Sequence, residues 1–263
     1  MNHGHSLLVA REFVVALALL ATGVPVAVAQ PAPRPPAMAP PPPSDFMLGR
    51  PKVFLALDGG FLFARAGSDL YDFVTDQLTI EKRQFNTPVF GGRAGVAISP
   101  RLEIAVLYES ARSQTASEYR EFIDNQGLPI TQTTLRQDHQ IAATVRWSLL
   151  PSGRRISRFA WIPRTFTPFI GGGAGAIKYR FEQYGSFVDF ETRRVFDDRF
   201  LSEGWAPSAH ALAGADLRVY RKLYVTGEAR YTWSSAPLGA DFVDFEPIDL
   251  AGARLGAGLK LVF

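Results

Sequence analysis

The sequence predicts an all-β protein, a transmembrane, antiparallel, up-and-down β-barrel of eight strands, and three observations predict it. From residue 51 onward the chain alternates apolar and polar residues in segments of ten or so, and a period of two marks half-exposed strands. The connections between segments are alternately tight and long. After residue 29 no apolar run is long enough for the ~20 residues of a spanning helix, so any membrane crossing is made by strands.

Composition narrows the chemistry. The 263 residues carry a net charge of +3, with 23 Gly, 20 Phe and no Cys. Absent cysteine removes thiolate metal sites, catalytic thiols, disulfides and a lipid-modified cysteine. The balanced charge, with no basic cluster to support it, gives no reason to expect nucleic acid as a partner. No cofactor is expected, and a monomer is expected.

The N-terminus reads as a signal for export. In "REFVVALALLATGVPVAVAQ" Arg11 is the positive flank, residues 13–21 are the apolar core, and Ala27-Val28-Ala29 is the small-x-small cleavage pattern. Residues 1–29 are therefore expected to be a signal peptide cut after Ala29. The core is too short for a membrane anchor. Residues 30–50 begin "QPAPRPPAMAPPPPSD", a polyproline II-prone stretch expected to be a disordered tether. The barrel domain is expected over residues 51–263.

The strands follow in order. Segment one, residues 53–63, places Val53, Leu55, Leu57, Phe61 and Phe63 opposite Asp58. In segment two, residues 89–98, Phe90, Ala94, Val96 and Ile98 oppose Arg93. Segment three, residues 102–110, sets Ile104, Val106 and Tyr108 against Glu103 and Glu109. Segment four, residues 140–149, sets Ile141, Val145 and Trp147 against Arg146. Segment five, residues 167–181, is expected to turn Phe169, Ile177, Tyr179 and Phe181 outward and Lys178 and Arg180 inward. Segment six, residues 208–220, opposes alanines, Leu217 and Val219 to His210, Asp216 and Arg218. Segment seven, residues 223–233, opposes Val225, Tyr231 and Trp233 to Glu228 and Arg230. The tail "LAGARLGAGLKLVF" alternates Leu255, Leu259, Leu261 and Phe263 with Arg254 and Lys260. Ten strands would require a further hairpin within the long connections.

Which face meets lipid is decided by three features. Turns at residues 99–101 and 221–222 are tight, whereas residues 64–88, 111–139, 182–207 and 234–247 are long and polar, the asymmetry of outer-membrane barrels. Aromatics on the apolar face gather at the strand ends: Phe61, Phe63, Phe90, Tyr108, Tyr179, Phe181, Tyr231 and Trp233 at one, Trp147, Phe169 and Phe263 at the other. Two such belts suit two headgroup levels. The opposite face is small and charged, as the filled interior of an eight-stranded barrel requires. An interior charge network is expected of Asp58, Arg93, Glu103, Arg146, Asp216, Arg218, Glu228, Arg230 and Arg254, because buried charges survive only when paired.

The stretches "TPFIGGGAGAIKYRF", "LAGADLRVYRKLYVTGEARYTW" and "LGAGLKLVF", with the terminal Phe263, resemble the OmpA/OmpX/OmpW-like small outer-membrane β-barrels over roughly residues 51–263. The resemblance implies placement in the Gram-negative outer membrane, among lipid and lipopolysaccharide. It also implies delivery by the barrel-assembly machinery, which reads the last strand. Gly258, Leu261 and Phe263 match that signal, and the chain departs from it at Gly256, where the family usually has a polar residue.

The fold hosts pores, enzymes, adhesins and structural proteins alike. The reading carried forward is a structural and surface-interaction role, with envelope integrity, adhesion or recognition through the long outer loops and an extracellular ligand or host surface as partner. The alternative is a narrow channel for small or apolar solutes. An outer-membrane lipid-modifying enzyme is third, since His210 and Ser208 share a strand face but no HxS or GxSxG pattern accompanies them. No catalytic, cofactor or metal residues are expected. The arginines of "PSGRRISRFAWIPR", Arg154, Arg155 and Arg158, form a basic connection at the tight-turn end, expected either to meet a periplasmic partner or inner-leaflet phosphates or to be a solvated turn with Phe159 and Trp161 at the membrane interface.

Overall fold

The computed structural model describes residues 46–263, Asn125 excepted. The signal peptide, with Ala27 and Ala29, and the tether up to residue 45 lie outside the described residues. Eight strands form the barrel: β1 (Val53–Ala64), β2 (Thr87–Ala97), β3 (Leu102–Ile123), β4 (Pro129–Ser148), β5 (Phe166–Val188), β6 (Val195–Tyr220), β7 (Leu223–Ala236) and β8 (Gly252–Val262). Each pairs antiparallel with the next. The ring closes where β8 pairs β1, from Gly252 opposite Ala64 to Val262 opposite Phe54. Closure leaves no strand edge facing lipid, which cannot hydrate one.

Strand lengths separate two regions. β1, β2 and β8 have 12, 11 and 11 residues, near the ~9–11 of a tilted membrane strand. β3 to β6 have 22, 20, 23 and 26. These four stay paired well past the others, with Glu118 opposite Thr131, Gln132 opposite Gly185 and Val188 opposite Val195. They form a four-stranded wall standing above one side of the barrel. Residues 111–139 and 182–207, expected as loops, are therefore mostly strand. Outside lipid neither face must be apolar, so Ser, Thr and Gln replace the alternation while the backbone ladder continues.

The connection between β1 and β2 also holds structure the periodicity did not announce. Helix α1 (Asp69–Gln77) starts at Ser68, with Asp69 and Asp72 in its first turn, where the N-terminal dipole end favours acids. Leu70, Tyr71 and Val74 are buried. With Leu78, Ile80 and Phe85 they pack on the inward side chains Ile177, Tyr179 and Phe181 and on Phe242, Ile248 and Leu250 of the β7–β8 connection. Burying each such side chain contributes roughly 1.5–3 kcal/mol. The outer half of the barrel thus has an apolar plug.

That plug explains a corrected strand. On β5, Phe169, Ile177, Tyr179 and Phe181 point inward and are at most 4% exposed, while Lys178 is exposed. The parity of this strand is opposite to the expectation, so Lys178 and Arg180 do not join the interior. Its membrane-facing side is Phe166, Pro168, Ile170, Gly172, Ala174 and Ala176. The other seven registers are as the alternation predicts. The aromatic belts stand with substitutions: Trp205 joins the loop end, Phe166 and Tyr220 join the turn end, and the three inward rings leave.

At the turn end, Met47–Leu48 pairs with a short strand, Ala160–Pro163, which pairs with Gly153–Arg155. Met47 and Trp161 bury against Phe54, Ala105, Tyr224 and Val262. The last residues of the expected tether are thus part of the folded unit, and Trp161 closes the barrel floor instead of lying at the interface. Phe159 is 69% exposed.

Candidate functional site: the barrel lumen

The inward side chains of the membrane section form two ion-pair clusters. Nearer the turns, Lys260 Nζ donates to Glu103 Oε1 at 2.7 Å and to Asp216 Oδ2 at 2.9 Å. Arg146 Nη2 donates to Asp216 Oδ1 at 3.1 Å, and Thr226 Oγ1 donates to the same oxygen at 2.7 Å. The Arg146 guanidinium lies 3.4 Å from the centre of the Phe169 ring, and Lys260 lies 4.6 Å from that of Phe54, so the cations also meet ring faces.

One layer up, Arg93 forks onto Asp58 at 2.7 and 2.8 Å and reaches Glu228 Oε2 at 2.9 Å. Arg230 bridges Glu228 at 2.6 Å and Glu109 at 2.9 Å. Arg254 pairs with Glu109 as well. Each cluster is neutral, two acids with two bases and then three with three. Fork-to-fork geometry of this kind favours arginine over lysine at Arg93.

Eight of the nine expected network residues are joined in these clusters. Arg218 is half-buried beside the β6–β7 turn, opposite Tyr224. Glu109 and Lys260, which the alternation also turns inward, complete the two clusters. Above the second cluster, Thr144 Oγ1 lies 3.0 Å from His210 Nε2, and Gln140 Nε2 donates to Ser208 Oγ at 3.4 Å. His210 and Ser208 are thus each engaged by β4 side chains. Higher still, Arg136 Nη2 pairs with Asp138 at 2.8 Å and also reaches the Leu250 carbonyl at 3.4 Å, tying the wall to the plug.

Space inside is slight. One cavity of about 40 Å³ lies between the first cluster and the floor, and another of about 50 Å³ between the second cluster and the plug. Each has room for a water or two. Outside, Val53, Leu55, Leu57, Val96, Ile104, Val106, Ile141, Val145, Ile170, Leu217, Leu255 and Leu259 are 40–75% exposed, a band that lipid alone covers.

No protein-family model matches the chain, and no curated protein matches it by sequence. Solved structures similar to it include Neisserial surface protein A, at 14% identity over 84% of this chain and 98% of that one, with a TM-score of 0.45. The outer membrane protein OprG from Pseudomonas aeruginosa is 8% identical over 82% and 98%, with a TM-score of 0.44. Ail, the attachment invasion locus protein of Yersinia pestis, solved with the heparin analogue sucrose octasulfate, is 13% identical over 80% and 99%, with a TM-score of 0.38. The ring closure, the apolar outer band and the ion-paired lumen establish the fold on their own: the chain is a transmembrane, eight-stranded, antiparallel β-barrel of the outer-membrane type with a filled interior.

Proposed function

We propose that the protein is an exported, monomeric outer-membrane barrel with a structural and surface-interaction role, its β3–β6 wall presented to the exterior. The observation that carries this reading is that the lumen is blocked twice, by neutral ion-pair clusters and by the apolar plug, while four strands run to about twice the membrane length. A conducting barrel spends its interior on water; this one spends it on packing. The narrow channel is therefore the weaker reading. The enzyme is weaker still, because His210 and Ser208 are held by separate β4 partners. Lipopolysaccharide is a fitting neighbour, since exposed Lys178 lies directly across the ladder from exposed Trp205, at the loop-end headgroup level.

The test is single-channel recording of residues 30–263 refolded into a planar bilayer, with folding confirmed by a heat-dependent gel shift. A folded, silent barrel is expected. Steady, reproducible conductance steps from the unmodified protein would overturn the reading in favour of the channel.

A further inference from the structure

We infer that the outer crown carries a dead-end binding pocket for a small neutral aromatic molecule bearing one hydroxyl donor, a simple phenol. The pocket holds about 210 Å³, a little above the ~150 Å³ that accommodates benzene in an apolar protein cavity. It lies between α1, the β5–β6 hairpin and the β7–β8 connection, with walls made largely of Phe73, Phe187, Phe190, Phe196, Phe200 and Phe245.

Three observations select this ligand class. First, most of the wall rings meet edge to face, Phe187 and Phe200 at 4.7 Å and 89°, Phe73 and Phe245 at 5.4 Å and 63°, Phe73 and Phe190 at 6.4 Å and 83°, while Phe187 and Phe196 stack at 6.0 Å and 29°. Such a set offers both negative faces and positive edges, which a further aromatic ring completes and an alkyl chain does not. Second, Gln132 lines the pocket, is 5% exposed, and its Oε1 has no hydrogen-bond partner. A buried acceptor left unpaired is costly, and a ligand hydroxyl would satisfy it. Third, the charged residue in the lining is the acid Asp241, which disfavours carboxylates and phosphates.

Exposure agrees. Phe73, Phe190 and Phe196 are 40–51% exposed on elements beyond the short strands, where lipid does not cover them. The base is closed by buried Val74, Leu78 and Phe242, so a molecule entering from outside is held and not passed into the lumen. The inference needs only a folded crown and stands apart from the conductance result.

The experiment titrates the chain from residue 30, in lipid nanodiscs, with 4-ethylphenol, ethylbenzene and 1-octanol by calorimetry, subtracting empty nanodiscs. Saturable one-site binding is expected, with 4-ethylphenol about tenfold tighter than ethylbenzene, the value of one well-placed hydrogen bond. Gln132→Leu should bring that ratio to about one while keeping ethylbenzene binding. Phe200→Ala should weaken both aromatic ligands, and Phe190→Ala at the rim does the same without touching a buried ring. Partitioning no greater than that of empty nanodiscs overturns the proposal. So does tighter binding of 1-octanol, or a phenol preference that survives Gln132→Leu. The heat-dependent gel shift of each variant separates loss of binding from loss of fold.

Discussion

Gly258 and Asp58 face each other across the closing seam between β8 and β1, and a methyl group at 258 would run into the Asp58 carboxylate and the Leu57 carbonyl. The glycine is thus required by the interior: a side chain there pushes away the carboxylate that Arg93 grips with two hydrogen bonds. Gly258→Ala should cost about 1–3 kcal/mol by overpacking, read as a lower urea midpoint of the refolded barrel. Phe263 points outward and is 53% exposed, so its size matters little to packing. Phe263→Ala should leave the urea midpoint within about 0.5 kcal/mol and slow assembly in cells, as an assembly signal requires; unchanged assembly would reduce Phe263 to a belt ring. Arg93 makes the same point by charge. Arg93→Met leaves the buried Asp58 carboxylate without its partner and Glu228 with Arg230 alone, and should cost about 3–5 kcal/mol, measured in the same titration. Converting Asp58 and Glu228 to their amides alongside should recover part of that loss.

At the scale of elements, α1 and the β5–β6 hairpin are where sequence pattern and structure part company. Alternation identified seven strand faces because large apolar and charged residues carry parity information. The run Gly171-Gly172-Gly173 carries none, so Tyr179 and Phe181, further along β5, set the expected face. They lie beyond the lipid band, where the barrel interior is apolar and inward is the greasy direction. The helix had its own signal, Ser68 followed by acids and by Leu70, Tyr71, Val74 and Leu78 at helical spacing, short beside the period-two pattern on either side of it. Leu70→Ala should lower the local opening energy of residues 65–86 by about 2–5 kcal/mol, seen as faster hydrogen exchange there, with the heat-dependent gel shift retained. The hairpin responds to pH instead. Burial raises the Glu182 pKa, but hydrogen bonds from Arg199 and Arg180 outweigh it and hold it below the usual carboxylate value. A depressed folded value means the stabilisation is present above the unfolded pKa, about 4.3, and disappears as pH falls through the folded one. Exchange protection in residues 182–203 should therefore drop below about pH 4.3, and Glu182→Gln should flatten that dependence.

For the whole molecule, the count of eight, the closing seam and the ion-paired lumen were legible because lipid enforces a strict rule: apolar outside, everything polar paired within. The crown was not, because above the membrane that rule lapses and ordinary protein packing takes over, with a core drawn from loops distant in sequence. The two regions impose two barriers in series along one axis. Ions meet the plug of Leu70, Tyr71, Val74 and Phe242 first and the ion-pair clusters second, and resistances in series are governed by the larger one. Unseating the plug with Leu70→Ser and Val74→Ser should leave the barrel silent, because the six charged groups of the upper cluster still span the lumen. Trimming that cluster as a neutral pair, Asp58→Ala with Arg93→Ala, should also leave it silent while the plug stands. Combining all four should still leave the barrel silent, because the lower cluster of Glu103, Arg146, Asp216 and Lys260 and the Trp161 floor remain across the lumen. Steps from either pair alone would show that its partner is no barrier, and would shift the account of the closed state onto the region just altered.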